Sequence, residues 1–184
     1  TEDDLDERGI TTVDEALRAL PGVSVSATGD NYVQVRIRGS EANHTLVLID
    51  GVEMNSSSSG EYLFSGLTLT DVERIEVLRG PQSAIYGSNA MGGVISITTK
   101  RADGPGTSFD GAIEVGSFNT VAADFSLRQG YETGSMSLAY STRQTDGEDL
   151  SRSGGDTEYN NRTTLSLGLE HELSDTVRAG LTFR

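Results

Sequence analysis

From residue 107 onward the chain repeats a pattern that few folds tolerate: segments of about ten residues in which every second position is apolar or glycine. These positions are Phe109, Gly111, Ile113 and Val115; Val121, Ala123, Phe125 and Leu127; Met136, Leu138 and Tyr140; Leu165, Leu167 and Leu169; and Val177, Ala179, Leu181 and Phe183. Asp, Glu, Ser, Thr and Arg fill the gaps, and turns rich in Gly, Asn and Asp separate the segments, apart from one long polar connection at 143–161. Alternate side chains of a strand point to opposite faces, so about five antiparallel strands with one apolar and one polar face are predicted. Such strands suit a soluble sheet or the start of a transmembrane barrel, and on the pattern alone the soluble sheet is the commoner outcome. No run of about 18–20 apolar residues is present, which excludes a membrane-spanning helix and leaves the barrel open.

The first hundred residues follow a different grammar. "TTVDEALRAL" (11–20) offers Thr11 or Thr12 as N-cap, acids in the first turn and apolar residues at helical spacing, with a stop at Pro21-Gly22. Strands are predicted over 23–27, 32–39 and 44–51, the last closing on the Asp50-Gly51 turn signal. A polar loop, "MNSSSSGEYLF" (54–64), precedes a strand over 73–79, a short helix over 81–91 begun by Pro81, and a β-branched strand over 93–99. Glycines 80, 87, 92 and 93 mark positive-φ turns or close backbone approach.

Chemistry is sparse. Lys and Arg number 14 against 28 Asp and Glu, a net charge of −14, and no basic patch exists to meet phosphates, so nucleic acid is excluded as a partner. Cysteine is absent, removing disulfides, thiolate metal sites and a cysteine nucleophile. "RGPQSAIYGSNAMGG" lacks the GK[ST] ending of a phosphate loop, and no G-x-S-x-G elbow accompanies His44 and Asp50, so no catalytic residue is predicted. Arg38 and Arg79 each precede a glycine at a strand end and, if buried, need carboxylates; Glu73, Glu76 and Asp50 are the candidates nearby. In the connection "QTDGEDLSRSGGDTEYNN", oxygen ligands are dense enough to make calcium a candidate, although the EF-hand spacing is not met and a solvated acidic loop is the simpler reading.

Three ordered blocks, "TTVDEALRALPGVSV", "VRIRGSEANHTLVLIDGVEMN" and "DVERIEVLRGPQSAIYGSNAMGGVISITTK", resemble the plug domain of TonB-dependent outer-membrane receptors. Within that family "RIRGSEANHTLVLIDG", "QSAIYGSN" and "LEHELSD" look most like cobalamin receptors. The resemblance implies an α+β plug domain (1–103) followed by antiparallel β-strands of an incomplete transmembrane β-barrel (104–184) in the bacterial outer membrane. It implies a transporter fragment rather than an enzyme, for cobalamin or a ferric siderophore. Its partners would be TonB, outer-membrane lipid and the remaining barrel strands, with self-association of the fragment through open strand edges.

Ligand-binding apical loops would comprise Asn55, Ser56, Ser57, Ser58, Ser59, Tyr62, Ser83, Tyr86, Ser88 and Asn89, and a plug–barrel lock Arg38, Arg79, Glu73 and Glu76. Asp149, Asp156 and Glu158 would be the calcium ligands of a cobalamin receptor's loop. The segment that TonB grips should lie upstream of the first helix, and no such segment is read in residues 1–17. The alternative is a self-contained periplasmic or surface binding module with a plug-like fold and no transport role.

Overall fold

The computed structural model describes residues 9–28, 32–65, 67–102, 104–147, 159–174 and 176–184. It divides into two compact units, Thr1–Thr99 and Lys100–Arg184. The first opens with α1 (Val13–Arg18), whose N-cap is Thr12, and the Glu15 carboxylate reaches back to the N–H groups of Thr11 and Thr12 at 3.2 and 3.4 Å. Its buried stripe is Val13, Ala16 and Leu17. An antiparallel ribbon follows, β1 (Val23–Thr28) on β2 (Tyr32–Ile37). A four-stranded mixed sheet is then built from β3 (Thr45–Ile49), β4 (Val52–Glu53), β5 (Val72–Arg79) and β6 (Gly93–Thr99), in the order β4-β3-β6-β5.

β3 and β6 run parallel, and every residue of "TLVLI" in β3 is buried, which is why this strand shows no alternation in sequence. Leu17, Val35, Ile37, Val47, Ile49, Phe64, Leu67, Ile95 and Ile97 form the core. Asp50 and Gly51 both take positive φ (49° and 81°), as a two-residue hairpin between twisted strands requires. The Asp50 carboxylate accepts from the N–H and Oγ1 of Thr99 at 2.9 and 2.7 Å.

Three local expectations need correction. The helix expected over 81–91 is split into α2 (Ser83–Tyr86) and a 3-10 turn (Ser88–Ala90), because Gly87 at φ 84° ends the first turn. Pro81 therefore precedes the N-cap, Gln82, instead of opening the helix. β2 stops at Ile37 because Arg38 and Gly39 are both left-handed (φ 52° and 78°).

The second unit is a meander of β7 (Gly106–Gly116), β8 (Thr120–Tyr131), β9 (Gly134–Thr145), β10 (Asn160–Ser174) and β11 (Val177–Phe183), paired in sequence order. Its register aligns Phe109, Leu127, Leu138, Leu167 and Phe183 in one row across all five strands, and each of them is exposed. The opposite face carries the ion pairs Arg128–Asp110 and Arg143–Glu114, and there Asp124, Ser126, Arg128 and Ser166 are buried. A soluble sheet buries its apolar face; this one exposes it and buries polar residues on the other, so the soluble-sheet preference drawn from alternation alone is overturned.

Candidate functional site

Two loops meet at the end of the plug sheet where β3 and β6 begin and β5 ends. The first, residues 80–92, is closed at its base by Gly80 N–H to Gly92 O (3.1 Å) and Gln82 N–H to Ala90 O (2.8 Å). Gly92 then donates to the carbonyl of His44 at 2.8 Å, just ahead of β3. A Cβ on Gly92 would sit 2.2 Å from Ser40 Oγ, so only glycine passes. Ser83, Tyr86 and Ser88 are exposed on this loop, together with Ile85. Asn89 donates its amide to Glu53 Oε1 at 2.8 Å, tying the loop to β4.

The second loop leaves β4 and turns back over the same end. Asn55 is expected to face a ligand, yet its side chain is fully engaged inward. Its Oδ1 accepts from Val47 N–H (2.7 Å) and its Nδ2 donates to the carbonyls of Thr45 (2.9 Å) and Gly60 (2.8 Å). The amide thus extends the ladder of β3 where β4 has ended. Asn55→Ala would orphan the backbone of two buried strand residues, and should destabilise the unit by about 2 kcal/mol, read by urea denaturation. Asn55→Asp should be no better, because a carboxylate cannot donate to either carbonyl.

Ser56 to Ser59 form the exposed tip, bound within itself by Gly60 N–H to Ser56 O (2.8 Å) and by the hydroxyls of Ser56 and Ser58 (2.9 Å). Tyr62 turns inward and packs edge-on against Phe64, centroids 4.9 Å apart, so its ring belongs to the core margin more than to the tip.

Glu61, which sequence reasoning passed over, anchors the tip to β2. It accepts the hydroxyl hydrogen bond of Tyr32 and lies 3.3 Å from Gln34 Nε2. The bond to Glu61, then partial burial, then the carboxylate's charge hold the Tyr32 hydroxyl above its usual pKa. A raised pKa means the stabilisation is complete below about pH 10, the unfolded value, and is lost as pH rises through the higher folded value. Tyr32→Phe should therefore cost about 1 kcal/mol at pH 8, and the gap should close in unfolding titrations carried above pH 10.

Arg38 and Arg79 come together at this same end. Arg38 Cγ and Arg79 Cδ lie 3.9 and 4.0 Å from where a Cβ on Gly22 would stand. Both residues are exposed, and among the described residues neither guanidinium has an ion-pair partner, contrary to the expectation of Glu73, Glu76 or Asp50. Glu76 lies 3.5 Å from Arg74 in an exposed pair, Asp50 is taken by Thr99, and Glu73 is exposed. Asp149, Asp156 and Glu158 lie outside the described residues.

Residues 1–94 match the family described as TonB-dependent Receptor Plug Domain. Among solved structures, the siderophore receptor PirA from Pseudomonas aeruginosa is 30% identical over 99% of this chain and 32% of its own, with a TM-score of 0.73. PirA from Acinetobacter baumannii matches at 25% identity over 99% of this chain and 30% of its own, TM-score 0.79. The ferric enterobactin receptor PfeA from Pseudomonas aeruginosa, solved in complex with enterobactin, matches at 25% over 95% and 30%, TM-score 0.75. The chain thus spans about a third of the length of these receptors.

They correct the expected likeness to cobalamin receptors, which rested on blocks that siderophore receptors share. The location that follows is the outer membrane, and the fold is the one these receptors share. With the match running through half of its sequence, and through both loops that converge on the sheet end, this chain belongs to the TonB-dependent receptor plug family.

Proposed function

We propose that the chain is the plug and first barrel strands of an outer-membrane receptor that takes up a ferric siderophore. The observation that carries this reading is the gathering of exposed hydroxyls (Ser56–Ser59, Ser83, Ser88) and the Tyr86 ring at one end of a rigid plug sheet. Such groups suit a large polar chelate, gripped by hydrogen bonds and stacking with no bond made or broken. The likeness to PirA and PfeA, receptors for siderophores by name, supports the ligand class.

In this reading the apolar row of the second unit meets lipid, the polar face lines the lumen, and the missing strands complete the barrel. Arg38 and Arg79, with no carboxylate paired to them among the described residues, wait for acidic residues of the barrel wall and form the lock with them. TonB, pulling from the N-terminal side, breaks that lock and lets the ligand pass. A self-contained soluble module does not account for the exposed apolar row.

The test is equilibrium binding of iron-loaded enterobactin and of a hydroxamate siderophore to the parent receptor in detergent. Saturable binding of either, weakened when Ser56 to Ser59 are replaced by alanine, is the expected result. A receptor that binds neither, and binds instead a nutrient of another class, would overturn the ligand assignment.

A further inference from the structure

The polar face of the five-stranded sheet carries one cross-strand row almost bare of side chains. Gly130 on β8 pairs with Ser135 on β9, Ser135 with Glu170 on β10, and Glu170 with Gly180 on β11. The row lies toward the rim that holds the short connections after Tyr131 and Ser174. Two glycines and a serine beside a single carboxylate leave a trough across four strands. Elsewhere on this face the positions hold Asp110, Glu114, Arg128 and Arg143, which fill the space with ion pairs.

The chain's own entry segment occupies the trough. A Cβ on Gly130 would lie 1.8 Å from the carbonyl oxygen of Gly104 and 3.1 Å from Cβ of Ala102, so any side chain there would expel the segment. One residue earlier, Arg101 forms an ion pair with Glu170 Oε2. The other oxygen, Oε1, is 3.2 Å from Arg178 Nε, and Arg178 Nη2 holds Glu172 at 2.6 Å. The Glu170 side chain is only 17% exposed, so it is shielded where it meets both arginines. β8 and β10 are two strand spacings apart, roughly 10 Å, a gap that one backbone residue and an extended arginine can bridge.

We propose that residues 101, 102 and 104 form a strap docked in this trough and anchored by Glu170. The chain leaves the first unit at Thr99 and is fixed two residues later. The entry into β7 is therefore held by the second unit's own packing. The inference rests on the packing of the second unit alone and does not depend on which ligand is carried.

The experiment uses the full-length receptor in detergent, with Ala102→Cys as its only reactive thiol and a small methanethiosulfonate as the probe. Docking predicts slow labelling, accelerated on the order of tenfold or more by Glu170→Gln and unchanged by Glu114→Gln, which removes a charge of the same kind elsewhere on the face. Ser135→Leu, which fills the trough and leaves every ion pair in place, should accelerate labelling too and serves if Glu170→Gln fails to give a heat-modifiable barrel on a gel. Labelling of the parent at the rate of a free thiol, or a rate that neither Glu170→Gln nor Ser135→Leu changes, would overturn the strap.

Discussion

Gly93→Ala is expected to cost on the order of 3–5 kcal/mol, a third or more of the stability of an ordinary domain. Gly93 is buried at the first position of β6, between Thr45 of β3 and Arg79 of β5, with Ile37 of β2 above it. An added Cβ would stand 2.4 Å from the carbonyl oxygen of Leu78 and 2.8 Å from Ile37 Cδ1, at a backbone φ of 154°. Ile37 can shift a methyl group; the Leu78 carbonyl belongs to the β5 backbone and cannot. Nor can the strand retreat, because Gly80 N–H to Gly92 O and Gly92 N–H to His44 O pin it from both neighbours. The penalty is overpacking against fixed backbone, added to conformational strain.

Gly87→Ala isolates the second contribution: its φ is 84°, yet no atom lies within 4 Å of the new Cβ, so about 1 kcal/mol is expected. Urea denaturation of the two variants side by side measures the difference. Equal costs would mean that Gly93 serves only its backbone angle and that β3, β5 and β6 are packed less tightly than described.

Gly93 also shows how far the sequence could be read. The two strands between Val72 and Lys100 were legible because their β-branched residues and flanking glycines obey local rules, whereas the single helix expected between them is broken at Gly87. What could not be read were interactions between segments far apart in the chain. Asn55 in a serine-rich loop reads as a ligand contact; that it completes the ladder of β3 depends on Thr45 and Val47, eight to ten residues away. Glu61 carries no motif, and its partners Tyr32 and Gln34 lie 29 and 27 residues upstream. Arg79 does end its strand and Arg38 lies one residue past the end of β2, but their expected carboxylates were chosen by nearness in sequence, which says little about nearness in space. The likeness to one ligand subfamily failed for a related reason. The plug blocks specify packing common to the family, whereas ligand choice depends on individual side chains at loop tips.

Leu167→Arg should separate a membrane-facing sheet from a soluble one by the sign of its effect. Leu167 is the fourth of the five in the row Phe109, Leu127, Leu138, Leu167 and Phe183, with a neighbour on either side, and is 41% exposed. Were this face in water, exchanging a half-exposed leucine for arginine would change stability by no more than about 0.5 kcal/mol and would improve solubility. Facing hydrocarbon, the same exchange should cost about 2–4 kcal/mol near the midplane, because the guanidinium must be dehydrated or must drag water in.

Depth supplies the internal control. Leu173 lies six residues along β10, at the register shift between Glu172 and Ser174, and is 64% exposed. At about 3.3 Å per residue and a tilt of roughly 35–45°, six residues move it some 15 Å along the membrane normal, past half of an apolar band about 25 Å tall. Leu173→Arg should accordingly cost no more than about 1 kcal/mol. Refolding of the parent barrel into lipid vesicles across a denaturant series, with both variants beside the parent, gives the two numbers. A large penalty at 167 and a small one at 173 would fix both the face and the depth of the sheet. Two equal small changes would return this sheet to water, and with it the reading of the whole chain as a membrane receptor would fall.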